Sequence, residues 1–161
     1  MRIAAALSVL LLLLAGCFRG DQRKPTLDID RTMEKAAQAL RYCKANNLST
    51  RFCILIDMSL HSGVKRLVVW DFNSQSIRDR YLVSHGCCNK PWSMDFSKDS
   101  PRFSNTDGSH CSSLGKYRIG ERGPSAWGVG KKYLLHGLES SNNNALKRAI
   151  VLHSRSEEHT S

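Results

Sequence analysis

The sequence predicts a mainly β domain behind a single N-terminal helix. Two observations carry that expectation. Apolar runs of strand length, rich in Val, Ile and Leu and bounded by turn residues, recur at 52–56, 65–72, 77–83, 116–119, 133–135 and 150–153. Only one long stretch, 30–48, repeats its apolar residues at helical spacing. The chain of 161 residues suits one domain plus a targeting segment. No internal repeat and no second domain is visible.

Composition narrows the partners. A net charge of +10 and a pI of about 9.6 favour anionic ones. No RNP, zinc-finger or helix-turn-helix signature accompanies the charge, so nucleic acid is not an expected partner. Arg2 precedes an apolar run at 3–14 that is shorter than a membrane span. The pattern is that of the n-region and h-region of an export signal. It ends in Leu14-Ala15-Gly16-Cys17, which resembles the lipobox of bacterial lipoproteins, where the cysteine is lipidated after cleavage. The resemblance implies a lipoprotein signal peptide over 1–17, a membrane anchor at Cys17, and an exported protein of the periplasm or cell envelope. Cys43, Cys53, Cys87, Cys88 and Cys111 then lie where disulfides persist. Their connectivity stays open; Cys43 with Cys53, and Cys111 with Cys87 or Cys88, are the pairings considered.

The elements follow in order. Residues 18–29 are polar and basic and read as a linker. In the helix over 30–48, Asp30 stands as N-cap, and Met33, Ala36, Ala37, Leu40 and Cys43 form the packed stripe. Residues 49–154 follow as the body of the domain. Its first three strands, 52–56, 65–72 and 77–83, have short connections and suggest an antiparallel meander. Residues 89–113 are a long polar loop, a length that in a compact domain usually carries function. A short strand at 116–119 is bounded by Gly115 and Gly120, and another over 133–135 ends at His136-Gly137. A helical turn from Ala145 then runs into a last strand that ends on His153.

Three ordered blocks carry a family resemblance. The first is Cys53-Ile54-Leu55-Ile56-Asp57-Met58-Ser59. The second is Phe103-Ser104-Asn105 with Gly108-Ser109-His110-Cys111-Ser112-Ser113-Leu114-Gly115. The third is Leu135-His136-Gly137-Leu138-Glu139, then Asn142-Asn143-Asn144-Ala145 and Ile150-Val151-Leu152-His153. Together they resemble the murein L,D-transpeptidase catalytic domain family (YkuD-like). The resemblance implies an L,D-transpeptidase-type β-sandwich or barrel, and an exported enzyme that acts on peptidoglycan stem peptides through a cysteine nucleophile.

The family's catalytic layout is a histidine at a strand end followed downstream by Ser-x-Gly-Cys. His153 matches the histidine, and the chain ends at Ser161 before any such segment. Residues 155–161 are what the start of a common sequencing-library adapter encodes when read in frame, so this tail is expected to be non-native read-through. The nucleophile and the C-terminal strands are expected to lie beyond it, leaving this fragment inactive.

In that chemistry a thiolate attacks an amide carbonyl, an imidazole takes the thiol proton, and the acyl-enzyme passes to an amine or to water. His153 is the candidate base. Ser84-His85-Gly86-Cys87 offers an alternative, with Cys87 as nucleophile and His85 assisting. Against it, the segment precedes the other family blocks, and His61 lies too far upstream to serve as its partner. Ser84, His85, Gly86, Ser109 and His136 are read as lining the substrate cleft. Lys131 and Lys132 could meet substrate carboxylates but read first as solvated. No His/Cys cluster has zinc spacing, so neither metal nor other cofactor is expected. An L,D-carboxypeptidase shares every residue visible here. A non-catalytic wall-binding lipoprotein is the reading from a different class.

Overall fold

A computed structural model of the chain describes residues 26–88, 101–126 and 130–154. The expected signal peptide with Cys17, most of the linker, the first part of the long loop and the tail after Ser154 lie outside the described residues.

Helix α1, Ile29–Ala45, is capped by Asp28, whose side chain accepts from the Arg31 N–H at 3.0 Å. The cap is therefore not Asp30. Asp30 falls in the first turn, where its negative charge suits the exposed N–H groups and the helix dipole. The far end closes when Leu48 N–H donates to Cys43 O at 2.9 Å. Asn47 takes the left-handed conformation there (φ 52°), as Asn tolerates at a helix C-terminus. The packed stripe runs through Thr32, Ala36, Ala39, Leu40 and Cys43. Met33, expected in it, sits one residue round the helix from Thr32 and is exposed.

Strands β1 (Phe52–Ile56), β2 (Leu67–Asp71) and β3 (Ser76–Tyr81) form an antiparallel meander in the order β1-β2-β3. Its register sets Cys53 opposite Trp70 and Leu55 opposite Val68. Alternation then sends Cys53, Leu55 and Trp70 to the face that α1 covers. Ala36, Trp70 and Phe72 are the buried centre there, with Cys53, Leu55 and Ile77 packed around them. Each large apolar side chain buried in this way contributes about 1.5–3 kcal/mol. β3 ends two residues earlier than the apolar pattern suggests, and Leu82 is exposed.

The second sheet is also antiparallel, in the order β4-β5-β6: Tyr117–Pro124, Lys131–Gly137 and Val151–His153. β4 does not stop at Gly120, as the sequence suggests, but continues through it with a register shift between Ile119 and Arg122. A Cβ at Gly120 would collide with the His136 imidazole. This glycine permits a close approach across the sheet and does not break the strand.

Residues 101–113 bridge the two sheets. On one side Gly86 N–H donates to Ser112 Oγ (2.9 Å), Cys88 N–H donates to His110 O, and Cys88 is disulfide-bonded to Cys111. On the other, Arg148 donates to Ser104 O (2.7 Å), Ser113 Oγ (2.6 Å), Ser109 Oγ (3.0 Å) and Cys111 O (2.6 Å). The Cys88–Cys111 bond answers one open pairing, while Cys43 and Cys53 stand as free thiols, as does Cys87.

Candidate active site

The segment before His153 explains how that histidine is presented. Ala145 is buried, and its carbonyl accepts from Ile150 N–H at 2.9 Å while Ala149 N–H donates to Leu146 O. That pair of bonds ends a helical turn with Ala149 in the left-handed conformation (φ 54°). The chain reverses and enters β6 directly. Leu135 N–H receives it by donating to Ile150 O at 3.2 Å, and Lys132 stands opposite His153 in the β5–β6 register.

His153 is exposed, and its Nδ1 lies 2.9 Å from Ser154 O. A carbonyl oxygen only accepts, so in the neutral ring Nδ1 carries the proton and Nε2 has the lone pair. Among the described residues Nε2 has no partner. An imidazole in this tautomer is ready to take a proton.

His85 is arranged in the opposite sense. It is buried, and Arg66 Nη2 lies 3.2 Å from its Nδ1. A guanidinium has no acceptor, so Nδ1 supplies the lone pair and the proton sits on Nε2. Arg66 is itself fully buried and also donates to Leu60 O (2.6 Å) and twice to Val83 O. Burial lowers its pKa and Asp57 partly restores it, but an arginine starts so high that it remains charged. The segment through Val83 and His85 is thus held by a buried cation.

The remaining site residues divide into two groups. Gly86 presses on the backbone of residues 110–112, where a Cβ would overlap the His110 carbonyl oxygen. Beside it lies a cavity of about 310 Å³, lined among others by Gly86, His110, Ser112, Arg148 and Ile150. Ser84 is exposed, and Cys87 is buried beside the cavity-lining Gly86. Ser109 Oγ is engaged by Arg148, which accounts for its position without a ligand. His136 shares a sheet face with His153, since both belong to the row set that includes Lys132. Its Nε2 donates to Glu121 at 3.3 Å. His153 does not line the cavity at Gly86.

Three residues that hold this arrangement were not legible in the sequence. Arg66, Arg148 and Asn142 each carry polar atoms into the interior to satisfy main-chain groups. Asn142 accepts from Glu139 N–H and donates to Lys116 O, which ties the third block to the start of β4. Asn142 lies in the third family block, and the two arginines each stand beside an apolar run, but neither pattern gives the main-chain groups they satisfy. Among the described residues no three His, Cys, Asp or Glu side chains converge as a metal site needs.

Fold and site together define a mainly β domain that presents an exposed imidazole at a strand end. The chain matches the family model of the L,D-transpeptidase catalytic domain (YkuD_2) over residues 24–160. It therefore belongs to the L,D-transpeptidase catalytic domain family, whose members act on peptidoglycan stem peptides. The match extends into the charged tail after Ser154. No curated protein and no solved structure matches the chain.

Proposed function

We propose that this chain carries the general base of a cysteine-dependent acyl transfer on peptidoglycan stem peptides, and that the base is His153. The observation that supports this reading most directly is its tautomer. Nδ1–H is spent on Ser154 O and Nε2 is left with a lone pair. Such a group accepts the proton of an attacking thiol and returns it to the leaving amine. Cys87 fits the nucleophile role poorly. It is buried, and His85, two residues before it, has its proton on Nε2 because Arg66 holds Nδ1. On this reading the nucleophile is a cysteine C-terminal to His153, as in the family's layout of histidine followed by Ser-x-Gly-Cys.

The acyl-enzyme passes to an amine in a transpeptidase and to water in an L,D-carboxypeptidase; cross-linked or trimmed products from stem peptides separate the two. The h-region and Leu14-Ala15-Gly16-Cys17 support an exported lipoprotein anchored at Cys17 in the cell envelope. The test is acylation by a carbapenem, read by intact mass and peptide mapping. The complete gene product is expected to be acylated at a cysteine after His153, and His153→Ala to slow this by at least about 100-fold. The 161-residue chain is expected to stay unmodified. Acylation at Cys87 transfers the nucleophile role to that residue. A complete gene without a later cysteine leaves a wall-binding lipoprotein.

A further inference from the structure

We infer that Lys132 binds the free α-carboxylate of the peptide on which His153 acts, one residue away from the attacked carbonyl. The inference rests on the reading of His153 as the base, and register, space and charge carry it.

Lys132 is paired directly with His153. Leu135 N–H donates to Ile150 O, so the alternation along the β5–β6 ladder makes Lys132 and His153 a non-hydrogen-bonded pair. In such pairs the Cα atoms stand about 4.5 Å apart and the side chains leave the same face side by side. Successive Cα atoms of a bound peptide are about 3.8 Å apart. One step across the sheet therefore spans about one residue of substrate.

The other flank of Lys132 is open. Its partner on β4 is Gly123, where a Cβ would meet nothing within 4 Å among the described residues. The row Gly123–Lys132–His153 thus has a base at one end, a cation in the middle and free space beyond.

The cation is also uncommitted. Among the described residues Lys132 makes no hydrogen bond or ion pair. Lys116 is taken by Glu139, Lys147 by Asp107, and Arg148 by the 104–113 loop, while Arg118 and Arg122 on β4, opposite His136 and Tyr133, make no hydrogen bond or ion pair among the described residues; only Lys132 stands directly opposite His153. The carboxylate of Glu121, reaching the same sheet, is engaged by His136 Nε2. Lys131, adjacent in sequence, pairs with Pro124 and projects to the opposite face. It is a built-in control of equal charge.

The test compares a stem tetrapeptide as its free acid with the same peptide as its C-terminal amide. Both are titrated into the 161-residue chain by calorimetry at low salt, and the His153 imidazole is followed by NMR. The acid is expected to bind about tenfold more tightly than the amide, the scale of one charge-assisted hydrogen bond. Lys132→Gln should abolish that preference. Lys132→Arg and Lys131→Gln should keep it. If both peptides shift the His153 resonances but bind equally, or if Lys132→Gln retains the preference, the role of Lys132 is overturned and the base stands. If neither peptide binds or shifts His153, both are overturned.

Discussion

Two histidines in this chain differ in what their Nδ1 atoms touch, and on the proposed reading that difference separates a proton acceptor from a structural support. His153 Nδ1 faces a carbonyl and His85 Nδ1 faces a guanidinium. Nitrogen-15 spectra at neutral or mildly alkaline pH are expected to show the proton on Nδ1 of His153 and on Nε2 of His85; the reverse at either would remove the assigned role. Stability should follow the same division. His153→Ala removes an exposed side chain and should cost less than about 0.5 kcal/mol. His85→Ala strips a partner from a fully buried arginine and should cost about 1–3 kcal/mol in a denaturant titration. Cys53 behaves differently again. Burial between α1 and β1, with Cys43 adding a like charge on ionisation, pushes its thiol up to about 12. The thiolate is the reactive form, so Cys53 should alkylate far more slowly at pH 8 than a thiol in the unfolded chain. A raised value also fixes the sign of the pH effect. The unfolded chain ionises this thiol first, so its contribution to stability is intact below pH 9.0 and is lost as pH rises toward about 12. A flat stability profile across that window in wild type, or an unchanged one in Cys53→Ala, would contradict this.

At the scale of elements, the parts of the fold written in local pattern were readable and those written in contacts were not. Alternation and turn chemistry placed the first meander because Cys53, Leu55 and Trp70 share one face against α1, with Ile77 of an otherwise exposed β3 packed beside them. β4 misleads because its glycines look like breakers, although Gly120 is required by a ring packed across the sheet. The cap moved from Asp30 to Asp28 because either aspartate satisfies a sequence rule and only backbone geometry chooses. His153 was legible from its family blocks, but its tautomer and its neighbour Lys132 depend on register, which no local pattern fixes. Two substitutions test the turns that set the site. Ala149 holds a left-handed conformation that costs an L-residue about 1–2 kcal/mol, part of which glycine recovers. Ala149→Gly should therefore raise stability by about 0.5 kcal/mol without moving β6. Gly86→Ala should do the opposite. Its methyl overlaps the His110 carbonyl and the Cys111 backbone, and a loss of about 2 kcal/mol or more is expected from thermal melting.

In the described molecule, the two sheets are tied to each other through one irregular segment, 101–113, which is held from both sides. The disulfide Cys88–Cys111 closes 23 residues of chain, and a loop of that length contributes about 3 kcal/mol by restricting the unfolded state. Arg148 contributes differently: it satisfies two main-chain carbonyls and two hydroxyls of the same segment in the folded state. Arg148→Ala leaves those acceptors without their donor, and a loss of about 2–4 kcal/mol follows if water does not replace it. The two restraints converge on Cys111, which lends its sulfur to one and its carbonyl to the other. They should therefore not act independently. Once the segment is released at Cys88, part of what Arg148 secures is already lost, so reduction and Arg148→Ala together should cost less than the sum of their separate effects. A cycle of four unfolding titrations, oxidised and reduced, wild type and Arg148→Ala, measures that difference. Coupling of about 0.5 kcal/mol or more is expected for restraints sharing one residue. Strict additivity would mean that the segment is anchored at two separate places and that the sheets do not depend on a common joint.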